Sequence, residues 1–170
     1  MEAAACREAV RRLVHDEYQI VYRFAYRLAG SHTDAEDLTQ QAFLMACDRI
    51  DQLRCGERAR PWLFTIVRNC FLKSRQKQKY WELTGDDLDW AVDPFSAWPE
   101  EFDEEQLQQA LQEMPEVFRT PVLLYYFEEM SYKDIARVLD VPIGTIMSRL
   151  ARGKESLRSR LLEKETAVSS

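Results

Sequence analysis

SYKDIARVLDVPIGTIMSRL, residues 131–150, holds two short helical patterns and the turn between them. Ser131, with Asp134 three residues on, is an N-cap signature for the first helix. Asp140 stands where that helix must stop, and its short polar side chain tolerates left-handed backbone better than most. "DVPI" then leads into the second helix. Ala136 is small, as two closely crossing helices require, and Ile135, Leu139, Ile146 and Leu150 supply a shared apolar core. This is the layout of a helix-turn-helix, whose second helix enters the DNA major groove with its N-terminal half.

Working outward, the second helix continues as VPIGTIMSRLARGKESLRSRL, residues 141–161, and carries Arg149, Arg152, Lys154, Arg158 and Arg160. Thr145, Ser148, Arg149 and Arg152 fall on or near the face that Ile146 and Leu150 leave free. Arg reads guanine bidentately, while Lys154, Arg158 and Arg160 suit phosphates. A basic helix end favoured by the macrodipole is the alternative; the helix-turn-helix core beside it favours DNA.

The net charge of −6 hides a segregation. Residues 1–80 hold 14 Lys/Arg against 10 Asp/Glu, residues 81–105 hold ten acids and no base, and residues 106–170 hold nine of each. Two segments with basic faces flank an acidic middle, a pattern expected of a polyanion-binding protein with an acidic linker. Only five Gly and six Pro in 170 residues point to an all-α chain. No apolar run reaches the ~18 residues of a membrane span, so no membrane insertion is expected. The N-terminal segment has no signal-peptide core, and the cytoplasm is the expected location. Cys6, Cys47, Cys55 and Cys70 form no CxxC pair and no ligand cluster with His15 or His32, so reduced thiols are expected. The absence of GxxxxGK, HExxH and nucleophile motifs predicts no cofactor, no metal site and no catalytic activity.

Helical periodicity predicts a first helix over 5–29 and a break at Gly30. A second helix over 34–50 follows, with Thr33 and Glu36 as its capping box. It buries Leu38, Ala42, Phe43 and Met45 and presents Asp37, Gln40, Gln41, Leu44 and Asp48 outward. A solvated face explains most of that strip; a protein-binding face explains Leu44 as well. Pro61 suits the first turn of a third helix, which buries Leu63, Ile66, Val67, Cys70 and Phe71. That helix and its loop also carry Arg60, Arg68, Asn69, Lys73, Arg75 and Lys77, with Trp62 as either a base-stacking platform or a core residue. Such a surface can track a nucleic-acid backbone and hold unpaired bases; charge alone leaves single- and double-stranded binding both open. Residues 81–104 lack a sustained period and read as a linker, whose Trp81, Trp90, Phe95 and Trp98 dock on the flanking domains or on a partner. Helices resume at 105–114 and 116–128, with Pro121 expected to kink the latter or to restart it from Thr120.

TDAEDLTQQAFLMACDRI (33–50), RPWLFTIVRNCFLKSRQKQ (60–78) and the run from Met114 to Leu161, in this order, resemble bacterial sigma-70-type factors of the extracytoplasmic-function (ECF) group. The resemblance implies an all-α fold of two small helical domains, sigma region 2 at 1–80 and sigma region 4 at 105–170, joined by the acidic linker 81–104. It implies core RNA polymerase as a partner, through the β′ coiled coil and the β flap. The β′ contact falls on Asp37, Gln40, Gln41, Leu44 and Asp48. Minus-ten recognition falls on the 51–60 loop with Arg60, and on Trp62, Arg68, Asn69, Lys73, Arg75 and Lys77. Minus-35 recognition falls on Thr145, Ser148, Arg149, Arg152, Lys154 and Arg158. Promoter DNA and an anti-sigma factor complete the partners. The chain departs from the common pattern at Pro61 and at Met147, where relatives often carry Lys or Arg.

Two other readings compete. A repressor or activator acting without polymerase would use 1–80 as a sensor or dimerisation domain. A helical metalloenzyme would use His32, Asp34, Glu36 and Asp37, although acids at a helix N-terminus explain that cluster better.

Overall fold

In the computed structural model, which describes residues 2–53, 59–76 and 102–168, every described element is a helix or a turn. The chain divides into two compact units, Met1–Tyr80 and Trp81–Ser170. Among the described residues no helix is long and apolar enough to cross a membrane. Lys77 and the linker aromatics Trp81, Trp90, Phe95 and Trp98 lie outside the described residues.

The first unit is built from α1 (Glu2–Ala29), α2 (His32–Asp48), a 3-10 turn (Ile50–Gln52) and α3 (Ala59–Gln76). Gly30 ends α1 at φ 87°, a left-handed conformation that suits glycine, and donates its N–H to the Tyr26 carbonyl at 2.8 Å. The cap of α2 is Ser31, not the expected Thr33: Ser31 Oγ accepts the Asp34 N–H at 3.2 Å. The reason is local. Ser31-x-x-Asp34 offers the same capping geometry two residues earlier, directly after the glycine turn. α1, α2 and α3 each pack on the other two. Their core joins Val21, Phe24 and Leu28 to Leu38, Ala42 and Phe43 and to Leu63, Phe64 and Val67. The Phe24 and Phe64 rings meet at 4.7 Å in a tilted pair, which adds about 0.5–1.5 kcal/mol beyond area burial.

The second unit comprises α4 (Glu104–Glu113), α5 (Glu116–Val122) running into a π turn (Leu123–Phe127), α6 (Tyr132–Leu139) and α7 (Ile143–Val168). The helix does not restart at Thr120: Pro121 lies inside α5, which runs on into the π turn. Glu128 N–H reaches back five residues to the Leu123 carbonyl at 3.2 Å. Proline removes the donor that would have bonded the Val117 carbonyl one turn earlier, and the π turn begins two residues after it. Thr120 caps nothing there; its Oγ1 donates to Glu116 Oε1 at 2.8 Å.

α7 packs against α4, α5 and α6. It does so along Ile146, Leu150, Lys154, Leu157 and Leu161, a stripe at helical spacing. At Gly153 the crossing with α5 is so close that an added Cβ would stand 2.6 Å from Val122 Cγ2 and 3.0 Å from the Phe118 carbonyl oxygen. Any larger side chain there would force a neighbour to shift.

Candidate nucleic-acid interface

In the second unit the turn forms as the residues predict. Ser131 Oγ accepts the Asp134 N–H at 3.1 Å, capping α6. Asp140 sits at φ 52°, ψ 50°, in the left-handed region, and ends α6. Val141 N–H bonds the Ala136 carbonyl at 3.1 Å, the closure expected when a left-handed residue terminates a helix. Ile135, Leu139, Ile146 and Leu150 are buried between α6 and α7, and Ala136 is nearly so. The first turn of α7 is thereby presented to solvent beside a groove lined by Lys133, Ala136, Arg137, Asp140, Pro142 and Ile143.

The bases of α7 separate into two groups. Arg149 and Arg152 are half-exposed on the side away from the core. Lys154 is a correction: it is 8% exposed, because it lies in the inward stripe between Leu150 and Leu157, so it does not face phosphates. Arg158 is half-exposed and pairs with Glu155 at 3.7 Å. Arg160 pairs with Glu113 of α4 at 3.1 Å and ties α7 to that helix. Thr145 is half-buried and Ser148 exposed, with the Ser148 hydroxyl donating to the Thr145 carbonyl at 3.0 Å. The exposed apolar side chains of this helix start, Ile143 and Met147, were absent from the expected contacts. Their i, i+4 spacing next to the turn was the available signal.

At the foot of α6, the Tyr132 ring lies 5.0 Å from that of Tyr125 between centroids, tilted by 33°. A hydrogen bond with Tyr125 and then burial hold the Tyr132 phenol above its ordinary pKa.

In the first unit α3 carries its polar groups on the side that the core leaves free. Trp62, Asn69 and Lys73 follow one edge at i, i+7 and i+11, while Arg68 and Arg75 follow the other at i and i+7. Asn69, Lys73 and Arg75 are exposed; Trp62 and Arg68 are half-buried, so Trp62 is neither a core residue nor a fully open platform. The Arg75 guanidinium lies 5.0 Å from the Phe71 ring centroid, a cation–π contact that orients it. Arg60 is engaged at long range: its Nε donates to Glu17 Oε2 of α1 at 2.9 Å, anchoring the start of α3. Burial raises the Cys70 thiol above its ordinary pKa, against the opposing pull of Lys73 and Arg49, and its Sγ donates to Met45 Sδ at 3.4 Å. Cys47 and Cys70 are both free thiols.

On α2, Asp37, Gln40, Gln41, Leu44 and Asp48 are all exposed. Leu44 is 67% exposed, the largest exposure among the big apolar side chains of the described residues. Met45, expected in the core, is half-buried at the edge of the strip. His32 is taken up locally: Nδ1 bonds the Tyr22 hydroxyl at 2.8 Å, and its ring stacks on Tyr26 at 4.6 Å. No group of three His, Cys, Asp or Glu side chains among the described residues is placed to hold a metal.

Comparison with known proteins gives a consistent result. Residues 13–80 match the Sigma-70 region 2 family and residues 104–157 match Sigma-70, region 4. The chain is 37% identical over 168 residues to the ECF RNA polymerase sigma factor SigE of Mycolicibacterium smegmatis, covering 92% of this chain and 64% of that one. It is 31% identical over 169 residues to the ECF RNA polymerase sigma factor SigL of Mycobacterium tuberculosis, covering 95% of this chain and 94% of the relative. A similar solved structure is that of the sigma factor RpoE in complex with the anti-sigma factor NepR from Bartonella quintana. It has a TM-score of 0.71 and 26% identity, with 89% of this chain and 95% of that one covered.

Proposed function

The chain belongs to the ECF group of the sigma-70 family, and from that premise we propose that it recruits core RNA polymerase through α2 and selects promoters through α7 and α3. The observation that carries this reading is the outward face of α2. A DNA-binding regulator acting alone needs a helix-turn-helix, but it has no need of a 67% exposed Leu44 among Asp37, Gln40, Gln41 and Asp48. That strip suits a basic partner surface with one apolar socket, here the β′ coiled coil, while the second unit meets the β flap.

In this reading α7 enters the major groove at the minus-35 element, with Ser148, Arg149 and Arg152 at or near base edges and phosphates. At the minus-ten element α3 receives bases as the duplex opens. Breaking a stacked step costs about 1.4 kcal/mol on average, and stacking a released base on an aromatic returns about 1–3 kcal/mol. Capture of one base beside Trp62, with Asn69 and Lys73 on its polar edges and Arg68 and Arg75 on the strand backbone, therefore offsets the opening of about one step. The protein contributes specificity and strand capture, not bond chemistry, and works where the chromosome is, in the cytoplasm. The Bartonella quintana complex supports an anti-sigma factor as a further partner.

The test is run-off transcription on fragmented source-genome DNA by core polymerase with and without the chain, with transcript 5′ ends mapped. New starts that share a two-part upstream motif are expected. Leu44→Asp loses the burial of a leucine side chain, about 1.5–3 kcal/mol, and places an unpaired charge in the contact. Binding to core should fall by on the order of 100-fold, with the new starts lost. No new starts, with duplex binding by the chain alone, would favour a polymerase-independent regulator.

A further inference from the structure

On the recognition helix, the residues most open to solvent at the start of α7 are not its arginines. Ile143 is 46% exposed and Met147 54% exposed, four residues apart on one side of the helix. Gly144 and Ser148, the next i, i+4 pair, are exposed beside them, and a Cβ at Gly144 would meet nothing within 4 Å. The four form a patch without charge at the end of α7 that a helix-turn-helix presents to base edges. Ser148 has turned its hydroxyl proton to the Thr145 carbonyl at 3.0 Å, which leaves the patch without a committed donor. The patch is bordered by Lys133 and Arg137 across the groove and by Arg149 and Arg152 further along α7.

Two exposed apolar side chains framed by cations fit a ligand with an anionic border and an apolar feature at its centre. Duplex DNA has both: phosphates along the groove walls, and the thymine C5-methyl as the one apolar group on the major-groove floor. A protein groove lined with carboxylates would match the border but would ask for a broader apolar area than two side chains. Gly144 adds room for the helix backbone to approach the bases closely.

We propose that Ile143 and Met147 are specificity-determining residues, which read thymine methyl groups in the upstream promoter element. This deepens the promoter reading above and rests on it. The arginines then hold register, and the order of A·T pairs under the first turn of α7 is sensed by apolar contact.

The test uses holoenzyme reconstituted from core polymerase and the full chain, on a promoter fragment defined by the run-off mapping. Each thymine of the upstream element, on either strand, is replaced in turn by deoxyuridine, which removes the methyl and nothing else. Native holoenzyme should lose about four-fold in equilibrium affinity at one or two positions, the worth of one buried methyl-sized group. Met147→Ala should bind the thymine and uracil fragments equally at one of those positions, and Met147→Leu should restore the difference. Because Met147 is exposed, neither variant disturbs the fold, and Ile143→Ala provides the same comparison at the neighbouring position. An upstream element without A·T pairs, or uracil replacement without effect at every thymine, would overturn the inference. If Met147→Ala also transcribed like the native chain, the patch would be assigned to a protein partner instead. Absence of new starts in the run-off assay would sink the promoter reading itself, whereas new starts with silent uracil substitutions would sink only this one.

Discussion

Gly153→Ala asks whether the α5–α7 crossing is as tight as the distances say. In an open helix the change would stabilise by about 1 kcal/mol through helix propensity. Here the new Cβ meets Val122 Cγ2 at 2.6 Å and the Phe118 carbonyl oxygen at 3.0 Å. Carbon pairs rest at roughly 3.5–4.0 Å, so one side must yield by about 1 Å. Val122 is fully buried and β-branched, with few rotamers open to it, and the Phe118 oxygen belongs to the α5 backbone. Overpacking of this kind costs about 1–3 kcal/mol. After the propensity gain, a net loss of up to about 2 kcal/mol is expected, or a fall in midpoint of up to roughly 8–16 °C for a unit of this size. Thermal melting of the full chain gives the magnitude, and hydrogen exchange assigns it to peptides from α5 and α7. Val122→Ala removes the nearer clash. The double variant should therefore be more stable than the sum of the two single losses by at least about 1 kcal/mol. Stabilisation by Gly153→Ala alone, or strict additivity with Val122→Ala, would refute the reasoning.

Asp140 holds a left-handed conformation at φ 52°, where glycine carries no steric penalty. Asp140→Gly should leave promoter affinity intact and raise the stability of the second unit by up to ~1 kcal/mol, while Asp140→Val should lower it, both read by urea unfolding. Lys154→Met, at a buried position, should leave holoenzyme affinity for the mapped promoter unchanged, while Arg152→Ala should weaken it by at least several-fold. Equal losses in the two variants would return Lys154 to the DNA surface.

The parts of the chain that were legible in advance are those decided within a few residues. Ser131 and Asp134, Asp140 in its turn, Gly30, and the outward Leu44 all follow from local pattern, because capping, left-handed backbone and helical periodicity are local physics. The errors share a different origin. Thr33 and Ser31 offer equivalent capping spacings, and only the position of the Gly30 turn decides between them. Proline in a helical pattern points to a kink or a restart, and nothing in the local sequence marks the π turn that begins at Leu123. Lys154 was assigned by its charge when its spacing from Leu150 and Leu157 already placed it inward. The Glu17–Arg60 pair and the space-limited Gly153 join elements distant in sequence, which no local window contains.

The inward commitment of α7's cations bears on how the protein shares a chromosome. Lys154 is buried, Arg158 pairs within the helix and Arg160 holds α4, so on the proposed function α7 would neutralise fewer phosphates than its six bases suggest. Sequence-independent affinity for duplex grows with every counterion displaced, and a genome offers roughly 10⁶–10⁹ such decoy sites. A more fully basic helix would be sequestered along the bulk of the DNA. On the proposed function, a weaker grip on decoys would leave the chain available to polymerase, with commitment to a promoter set by contacts that both supply together.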